Sequence, residues 1–447
     1  MAEPAILLVG NGRLMTNDGR QPFIPNGCVA IREGLIDGVG ETTELRKAYP
    51  KARFLDAQGR LILPGLINTH THLYSAFARG LAVKDAAPGN FVEILERLWW
   101  RLDKTLTLDD VYWSAMVGMI ACIRNGVTTI FDHHASPGAV RGSLSRIADA
   151  ARQTGVRSCL CYEVSDRDGA AVAEQGIEEN RGFLEHCKAS HGDWLRGLFG
   201  LHASFTLSDR TLARCCEAAA ELDAGFHAHT AEAKSDQERC LREHGKRVVE
   251  RWHDAGILGR SSLAVHCVHV DDREIGLLKD SGASVVHNPE SNMGNAVGSA
   301  PVLEMVRRGI RVGLGTDGYT ADMLESMKAA NLLMKHCSGD PGAGWDEPPQ
   351  MLFRENAAIA SECFGRPLGK LIAGAYADMI LADYDPPTPI DAANLNGHVL
   401  FGLTGGAVAT TIIGGQIVMH DRKLVDLDEA EVMAEARAAA AEVWKRF

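Results

Sequence analysis

The feature that most constrains the fold is the regular alternation of apolar β-type runs and amphipathic helical stretches through the middle of the chain. Eight candidate strands lie near residues 61–70, 127–132, 156–161, 196–202, 225–229, 262–266, 283–287 and 311–316. Helical stretches lie between them, as at 109–124 and 209–222, with apolar residues three and four positions apart. Eight such units over about 300 residues predict a (β/α)8 TIM barrel. A doubly wound sheet would need fewer strands and usually a glycine-rich phosphate turn, which this sequence lacks.

Both ends of the chain carry short β-type runs between turn signals such as Asn17-Asp18-Gly19. The same pattern of short β-type runs recurs at residues 377–384 and 410–418. The simplest interpretation is one small β-sandwich built from residues 1–60 and 369–447, with the barrel over residues 61–368. Two separate β appendages are the alternative.

The last segment, residues 426–447, is alanine-rich and amphipathic. It predicts a terminal helix that covers the sandwich or the barrel, and a dimer contact is the alternative.

Composition excludes several classes of partner. The 447 residues carry a formal net charge of −12 without a basic cluster, which argues against nucleic acid and anionic membranes. No apolar run reaches the roughly 18 residues of a membrane helix, and the N-terminus lacks the basic flank of a signal peptide. The eleven cysteines form no C-x-x-C pair, which favours a reducing compartment. We therefore predict a cytoplasmic enzyme with a small-molecule substrate.

A His-x-His motif, His70 and His72, ends the first predicted strand. Side chains two positions apart on a strand point to the same face, so the two imidazoles form half of a zinc site. The motif alone is weak, but polar residues also collect at the C-terminal ends of the other strands, where barrel enzymes carry their active sites. These residues are Asp132, His133, His134, Glu163, His202, His229, His266, His287 and Asp317.

Five motifs follow one another in a fixed order. They are P-G-L-I-N-x-H-x-H at 64–72, H-x-x-E at 229–232, A-V-H-C at 264–267, H-N-P-E-S-N at 287–292 and G-T-D-G at 315–318. In these motifs, and over nearly its whole length, the chain resembles the amidohydrolase superfamily, in the branch of the cytosine and guanine deaminases. The strings at 98–102, 132–137 and 200–206 are similar to those of SsnA-type aminohydrolases. That subgroup does not fix the substrate.

The resemblance implies that His70, His72, His229 and Asp317 are metal ligands. Three neutral imidazoles and one carboxylate suit a single Zn2+ and leave room for a water molecule. Fe2+ could occupy the same nitrogen and oxygen donors.

Three residues are expected to carry the catalytic steps. Glu232 would protonate a ring nitrogen of the substrate, and Asp317 would take a proton from the attacking water. His266 would hydrogen-bond the oxygen of the tetrahedral intermediate. The structural alternatives are a solvated helix glutamate for Glu232 and a buried core histidine for His266.

Substrate contacts are expected from six further residues: His202, His287, Trp100, Lys84, Asn90 and His133. His202 and His287 point toward the pocket by position, and Trp100 could stack on a flat ring or pack in the core. Lys84 and Asn90 lie in a long loop that could act as a lid. His133 could orient a metal ligand beside Asp132, or pack in its loop.

The leading hypothesis is hydrolytic deamination of an N-heterocycle by a metal-activated water. The same machinery could expel sulfide from a thioxo ring or chloride from a triazine. Cyclic-amide hydrolysis generally requires two metals bridged by a carboxylated lysine on the fourth strand, and residues 196–202 contain none. A non-catalytic binding protein would have lost a ligand or Glu232, and all are present. Family precedent suggests a homodimer or larger assembly.

Overall fold

In the computed structural model, which describes residues 6–190 and 192–447, eight strand positions form a closed parallel barrel. The strands are Leu66–Thr71, Val127–His134, Arg157–Tyr162, Leu195–Gly197 continued by Phe199–Leu201, Phe226–Thr230, Leu263–His266, Ser284–His287 and Val312–Leu314. They pair in sequence order, and the bridges Val164–Leu201 and Thr71–Asp317 close the circle. The predicted barrel is therefore confirmed.

Helices surround the barrel and connect its strands. Those between the strands are Leu73–Ala78, Phe91–Ile94, Leu95–Trp99, Trp100–Thr105, Leu108–Arg124, Ser143–Thr154, Ala170–Ala189, Ser204–Thr206, Asp209–Glu221, Lys234–His244, Val248–Asp254, Asp272–Ser281, Pro289–Gly294 and Val302–Arg307. After the last strand come Met323–Ser338, Glu347–Pro349, Gln350–Glu355 and Asn356–Phe364. Their ends follow local rules: a capping box of Thr107 and Asp110 starts one helix, and Gly155 in the left-handed conformation ends the next.

The two chain termini form one mainly antiparallel sheet. Its strands are Ile6–Met15, Phe23–Arg32, Leu35–Glu41, Arg53–Asp56, Leu61–Pro64, Met379–Ala382, Val408–Ile413, Gln416–His420 and Lys423–Leu424, with a helix at Thr42–Ala48. Leu61–Pro64 pairs with strands from both ends, which rejects two separate appendages. Strands from both termini contribute to its core, which includes Val9, Val29, Ile62 and Met379.

The passage from the sandwich to the barrel is at Gly65. The sequence predicted one continuous strand over 61–70, but Leu61–Pro64 is hydrogen-bonded in the terminal sheet and the barrel strand begins at Leu66. A Cβ on Gly65 would lie 2.3 Å from Thr128 Oγ1, so a side chain has no room where the chain changes sheets. Hydrogen bonding therefore assigns residues 61–64 to the sandwich, not to the barrel.

The C-terminal segment contains the helices Leu395–Phe401, Gly405–Ala407 and Glu429–Arg446. The last of these packs against Leu108–Arg124 and buries Val432, Ala436 and Val443. Its apolar face therefore covers the barrel of its own chain, one of the two placements that the sequence predicted.

Within residues 6–190 and 192–447, no single helix has the length and apolar character needed to cross a membrane. A pair bent by 111°, Phe91–Thr105 with Leu108–Arg124, meets those criteria only when the two helices are taken together.

Candidate active site

Four side chains converge at the C-terminal end of the barrel. His70 and His72 end the first strand, and ring nitrogens of both lie within 4.8 Å of one on His229, from the fifth strand. His72 Nε2 is 3.3 Å from His229 Nε2. Asp317 follows the eighth strand, with Oδ1 3.1 Å from His72 Nε2 and 3.8 Å from His70 Nε2. Three imidazoles and one carboxylate thus face a common point.

Hydrogen bonds fix the tautomers of two of these rings. His72 Nδ1 donates to the carbonyl oxygen of His133, and His229 Nδ1 donates to that of His202 at 3.1 Å. A carbonyl can only accept, so the proton sits on Nδ1 and the lone pair of Nε2 faces the common point. Metal-binding histidines usually have their other nitrogen held in this way.

The third ring leaves a buried nitrogen unsatisfied. His70 Nδ1 is 2.9 Å from His227 Nε2, whereas His70 Nε2 has no hydrogen-bond partner among the described residues. Burial, helped by the neighbouring imidazoles, lowers the pKa of His70 well below its usual value, so the ring stays neutral. A divalent cation at the common point would satisfy the orphaned lone pair, and this donor set fits one.

Backbone conformation aims two of the site residues. Asp317 and His266 both adopt positive φ, 54° and 72°, directly at the ends of their strands. Non-glycine residues rarely adopt this region, and such conformations cluster at functional sites. Asp317 Oδ2 accepts a hydrogen bond from Ser291 Oγ at 2.5 Å. Burial opposes ionisation of Asp317, but the neighbouring imidazoles, His72 first and then His266 and His229, prevail and hold its pKa below the usual range.

Glu232 and His266 lie next to Asp317 at the same point. Glu232 Oε2 lies 3.5 Å from His266 Nε2, which lies 3.7 Å from Asp317 Oδ2. Burial and then the charge of Asp317 raise the pKa of Glu232 well above its usual value, so its carboxyl group holds a proton that it can donate. The helix begins only at Lys234, and a left-handed turn at Ala231 directs Glu232 inward.

His266 is held by an amide. Its Nδ1 lies 2.8 Å from Asn292 Oδ1, and its buried Nε2 has no hydrogen-bond partner among the described residues. The free nitrogen is thus positioned to contact an oxygen between Glu232 and Asp317.

A cavity opens above the metal ligands with one aromatic wall and one polar wall. The aromatic and apolar residues are Tyr74, Phe91, Leu95, Trp99, Trp100 and Phe205, and the polar ones include Glu163, His202 and Asn295. Two predicted substrate contacts, Trp100 and His202, therefore line it. The ring centroid of Trp100 is 6.0 Å from that of His202 and 5.3 Å from the guanidinium of Arg167.

The other predicted substrate contacts lie outside the described lining of this cavity. Lys84 is exposed, and Asn90 caps the helix Phe91–Ile94 by accepting a hydrogen bond from the Glu93 amide at 3.1 Å. His287 is buried beneath the site. His133 Nε2 donates to the His227 carbonyl at 3.0 Å, so this nitrogen is held by the backbone of the barrel and does not face the cavity. The loop at 82–90 is exposed throughout, and contact of its two residues with a substrate stays a prediction.

Sequence reasoning gave no role to two residues that the fold brings to the site. Ser291 reaches Asp317, and Glu163 lies between His133 and His202, with its oxygens 3.2 Å and 3.6 Å from their ring nitrogens. The only available signal for Glu163 was its place at a strand end. For Ser291 it was membership of the H-N-P-E-S-N motif, and neither signal names a partner.

The closed barrel and its convergent histidines, aspartate and glutamate define a metal-dependent hydrolase. The profile of the amidohydrolase family matches residues 61–418, most of the chain. The chain belongs to the amidohydrolase family.

Relatives of known activity cover almost the whole chain. The 5'-deoxyadenosine deaminase of Methanosarcina mazei is 32% identical over 446 residues, which span 99% of each chain. The 5-methylthioadenosine/S-adenosylhomocysteine deaminase of Pelotomaculum thermopropionicum is 32% identical over 441 residues, 98% of each chain. Among solved structures, an adenosine deaminase from Xanthomonas campestris with bound zinc superimposes with a TM-score of 0.88, 23% identity and 99% coverage of each chain. That structure supports the fold.

Proposed function

We propose that this amidohydrolase is a zinc-dependent deaminase that replaces an amino substituent of an N-heterocycle with oxygen and releases ammonia. The observation that carries the proposal is the convergence of His70, His72, His229 and Asp317 on one point that Glu232 and His266 also face. Relatives about 32% identical over nearly the full length are deaminases of adenosine-type compounds, which supports ammonia as the leaving group.

The residues have distinct roles in this reaction. Bound zinc would supply Lewis acidity and lower the pKa of a coordinated water to about 7. Asp317 accepts the proton of the attacking water, because its carboxylate lies beside the ligand nitrogens, and passes it to the departing amino group, which leaves as ammonia. Glu232 delivers a proton to the ring nitrogen next to the amino carbon, and His266 Nε2 contacts the incoming oxygen. Trp100 and the other aromatic side chains receive the flat ring.

The test is turnover by zinc-loaded protein of a panel of amino-, thioxo- and chloro-substituted heterocycles, with ammonia, sulfide and chloride assayed together. Ammonia release, together with about one zinc per chain by elemental analysis, is the expected result. Sulfide or chloride release without ammonia would replace the deaminase proposal with the corresponding displacement. Two metals per chain and ring opening of a cyclic amide would indicate the hydantoinase-type reaction.

We also propose a cytoplasmic homo-oligomer that takes part in heterocycle breakdown. All eleven cysteines are free thiols, which suits a reducing compartment. Trp345 and Phe401 are 44% and 61% exposed, with ring centroids 6.0 Å apart, and supply an apolar contact for a second copy. Light scattering should give at least a dimer, and Phe401→Ser should shift it toward monomer. A monomeric parent protein would reject this assembly.

A further inference from the structure

The proposed reaction does not use Glu163, although its buried carboxylate lines the cavity. Glu163 directly follows the third barrel strand, and its amide donates to the His134 carbonyl at 2.8 Å. One carboxylate oxygen is 3.2 Å from His133 Nδ1 and the other 3.6 Å from His202 Nε2. Burial of a carboxylate lowers the stability of the fold unless hydrogen-bond donors contact its oxygens.

His202 is a poor hydrogen-bond donor to Glu163, because its ring proton is used elsewhere. Thr206 Oγ1 donates its single proton to the Ala203 carbonyl at 3.0 Å. It therefore accepts from His202 Nδ1, which lies 2.7 Å away. In the neutral ring the proton is then on Nδ1, and the lone pair of Nε2 faces the carboxylate of Glu163. His202 Nε2 and the Glu163 carboxylate are thus two hydrogen-bond acceptors that face each other at the cavity wall. A bound ligand that donates a hydrogen bond would stabilise them.

A second metal ion is a weaker explanation for this pair. Among the described residues, every three-residue group of potential metal ligands that contains Glu163 also contains His72 or His229. Both of those rings already turn Nε2 toward the proposed zinc site, so a second ion would compete with zinc for the same nitrogen atoms.

The depth of Glu163 limits what the donor can be. Its carboxylate lies within 4.8 Å of a ring nitrogen of His72 and of one on His229, both ligands of the centre. A substrate whose amino carbon sits at the centre would bring the ring atoms next to that carbon toward this carboxylate. Glu232, His266 and Asp317 come from the ends of strands five, six and eight, whereas Glu163 and His202 come from strands three and four. The two groups therefore flank the ring on different sides.

We propose that Glu163 determines specificity by accepting a hydrogen bond from a ring N–H that flanks the amino carbon. This inference rests on the proposed deaminase function and names its substrate class. The matching ring is a free base with a 2-amino-4-oxopyrimidine unit, in which a lactam N–H lies next to the amino carbon on the side opposite the nitrogen that Glu232 protonates. Adenine-type rings carry no N–H at that place.

The experiment compares each such base with a derivative methylated at that nitrogen: guanine against its N1-methyl form and isocytosine against its N3-methyl form. In the parent protein, kcat/KM for ammonia release should be about 10- to 100-fold higher for the unmethylated ring, because a hydrogen bond to a charged acceptor would be lost on methylation. Glu163→Gln should lower this ratio several-fold, because its amide oxygen is an uncharged and weaker acceptor, and Glu163→Asp, which keeps the charge, should retain more of it. Zinc content and Tm establish that both variants are folded and loaded.

The matched control is Glu179→Gln, since Glu179 accepts hydrogen bonds from the Gly142 and Leu144 amides away from the cavity. Its ratio should equal that of the parent. An unchanged ratio in Glu163→Gln, or a parent protein that prefers the methylated rings, would overturn the assignment.

Calorimetric binding of the same ring pairs separates the two proposals. If no ring releases ammonia but the parent still binds the unmethylated forms more tightly, and Glu163→Gln weakens that preference, the deaminase proposal fails and the Glu163 contact stands. If the binding preference is absent as well, both fail.

Discussion

Each histidine of the candidate metal centre turns one nitrogen to a shared point and uses the other for a fixed hydrogen bond. His72 and His229 donate to backbone carbonyls, and His70 bonds to the ring of His227. Because the carbonyl partners are main-chain atoms of neighbouring strands, the ring orientation is set by the barrel before any metal binds. The site is therefore preorganised, and loss of one ring should weaken the centre without unfolding the barrel.

We expect His70→Ala to lose stoichiometric metal and with it turnover. The change removes one of four donors and leaves His227 without its buried partner. Elemental analysis after gel filtration measures the metal content, and circular dichroism checks the fold. His336→Ala, at an exposed position, is the control and should retain the metal. Retention of one tightly held metal by His70→Ala would contradict its assignment as a ligand.

Glu232→Gln should keep the metal and lose at least about 100-fold in kcat, the usual contribution of a positioned acid–base group. Glutamine preserves the shape of the side chain but cannot hold and pass a proton. Steady-state ammonia release measures the effect. Glu238→Gln, on the next helix and ion-paired with Lys234 at the surface, should have parent activity. Near-parent turnover by Glu232→Gln would remove the residue from the mechanism.

One wall of the cavity is held in place by the end of the chain. Trp99 and Trp100 lie in the segment Phe91–Thr105, next to the short helix Leu73–Ala78. Arg101 Nη2 donates to the Phe447 carbonyl oxygen at 2.6 Å, and Trp444 Nε1 donates to the Phe77 carbonyl at 2.8 Å. His70 and His229 lie on barrel strands that these contacts do not touch, whereas His72 directly precedes Leu73–Ala78. Because the terminal helix contacts the substrate wall, we expect it to act mainly on substrate binding.

Trp444→Ala should consequently raise KM several-fold while metal content and kcat change little. The substitution removes the hydrogen bond that fixes Leu73–Ala78 and part of the packing beneath the aromatic wall. Kinetics with the best substrate of the panel separate the two parameters. Leu332→Ala removes an apolar side chain that is 59% exposed and takes no part in this contact, and it should leave KM unchanged. An equal fall in kcat would mean that the helix also supports the metal centre.

At the scale of the whole molecule, a buried ion pair joins barrel and sandwich. Arg157, on the third barrel strand, places Nε and Nη2 at 3.2 Å and 3.3 Å from the carboxylate of Asp378, which directly precedes a sandwich strand. Both side chains are about 1% exposed, and the guanidinium also lies over the ring of Tyr376 at 4.0 Å. Breaking such a pair leaves an uncompensated buried charge.

We expect Asp378→Ala to lower the free energy of unfolding by about 3–5 kcal/mol. The double variant Asp378→Ala with Arg157→Met should cost less than the sum of the two single changes, because no unpaired charge remains. Denaturant titration measures both. Asp149→Ala, which breaks an exposed pair with Arg152, should cost about 1 kcal/mol or less. A loss that small for Asp378→Ala would mean that the junction does not depend on this pair.

The sequence by itself determined the architecture and indicated which residues meet at one end of it. Strand and helix periods are local, so eight alternating units could be counted without a structure, and each motif residue at a strand end had to arrive at the same rim of a parallel barrel. His70, His72, His229, Glu232, His266 and Asp317 lie at or next to such strand ends, the resemblance to the amidohydrolase superfamily implies their roles, and the structure brings them together.

Only the tertiary structure decided which side chains meet between elements. The pairing of Leu61–Pro64 with a strand more than 300 residues later, the contact of Ser291 with Asp317 and the position of Glu163 beside His202 follow from the way elements pack. The exposure of Lys84 and the capping role of Asn90 do too. Periodicity reports which face of an element is buried, whereas a contact across the barrel depends on the register and tilt of two elements at once. No local pattern encodes those two quantities.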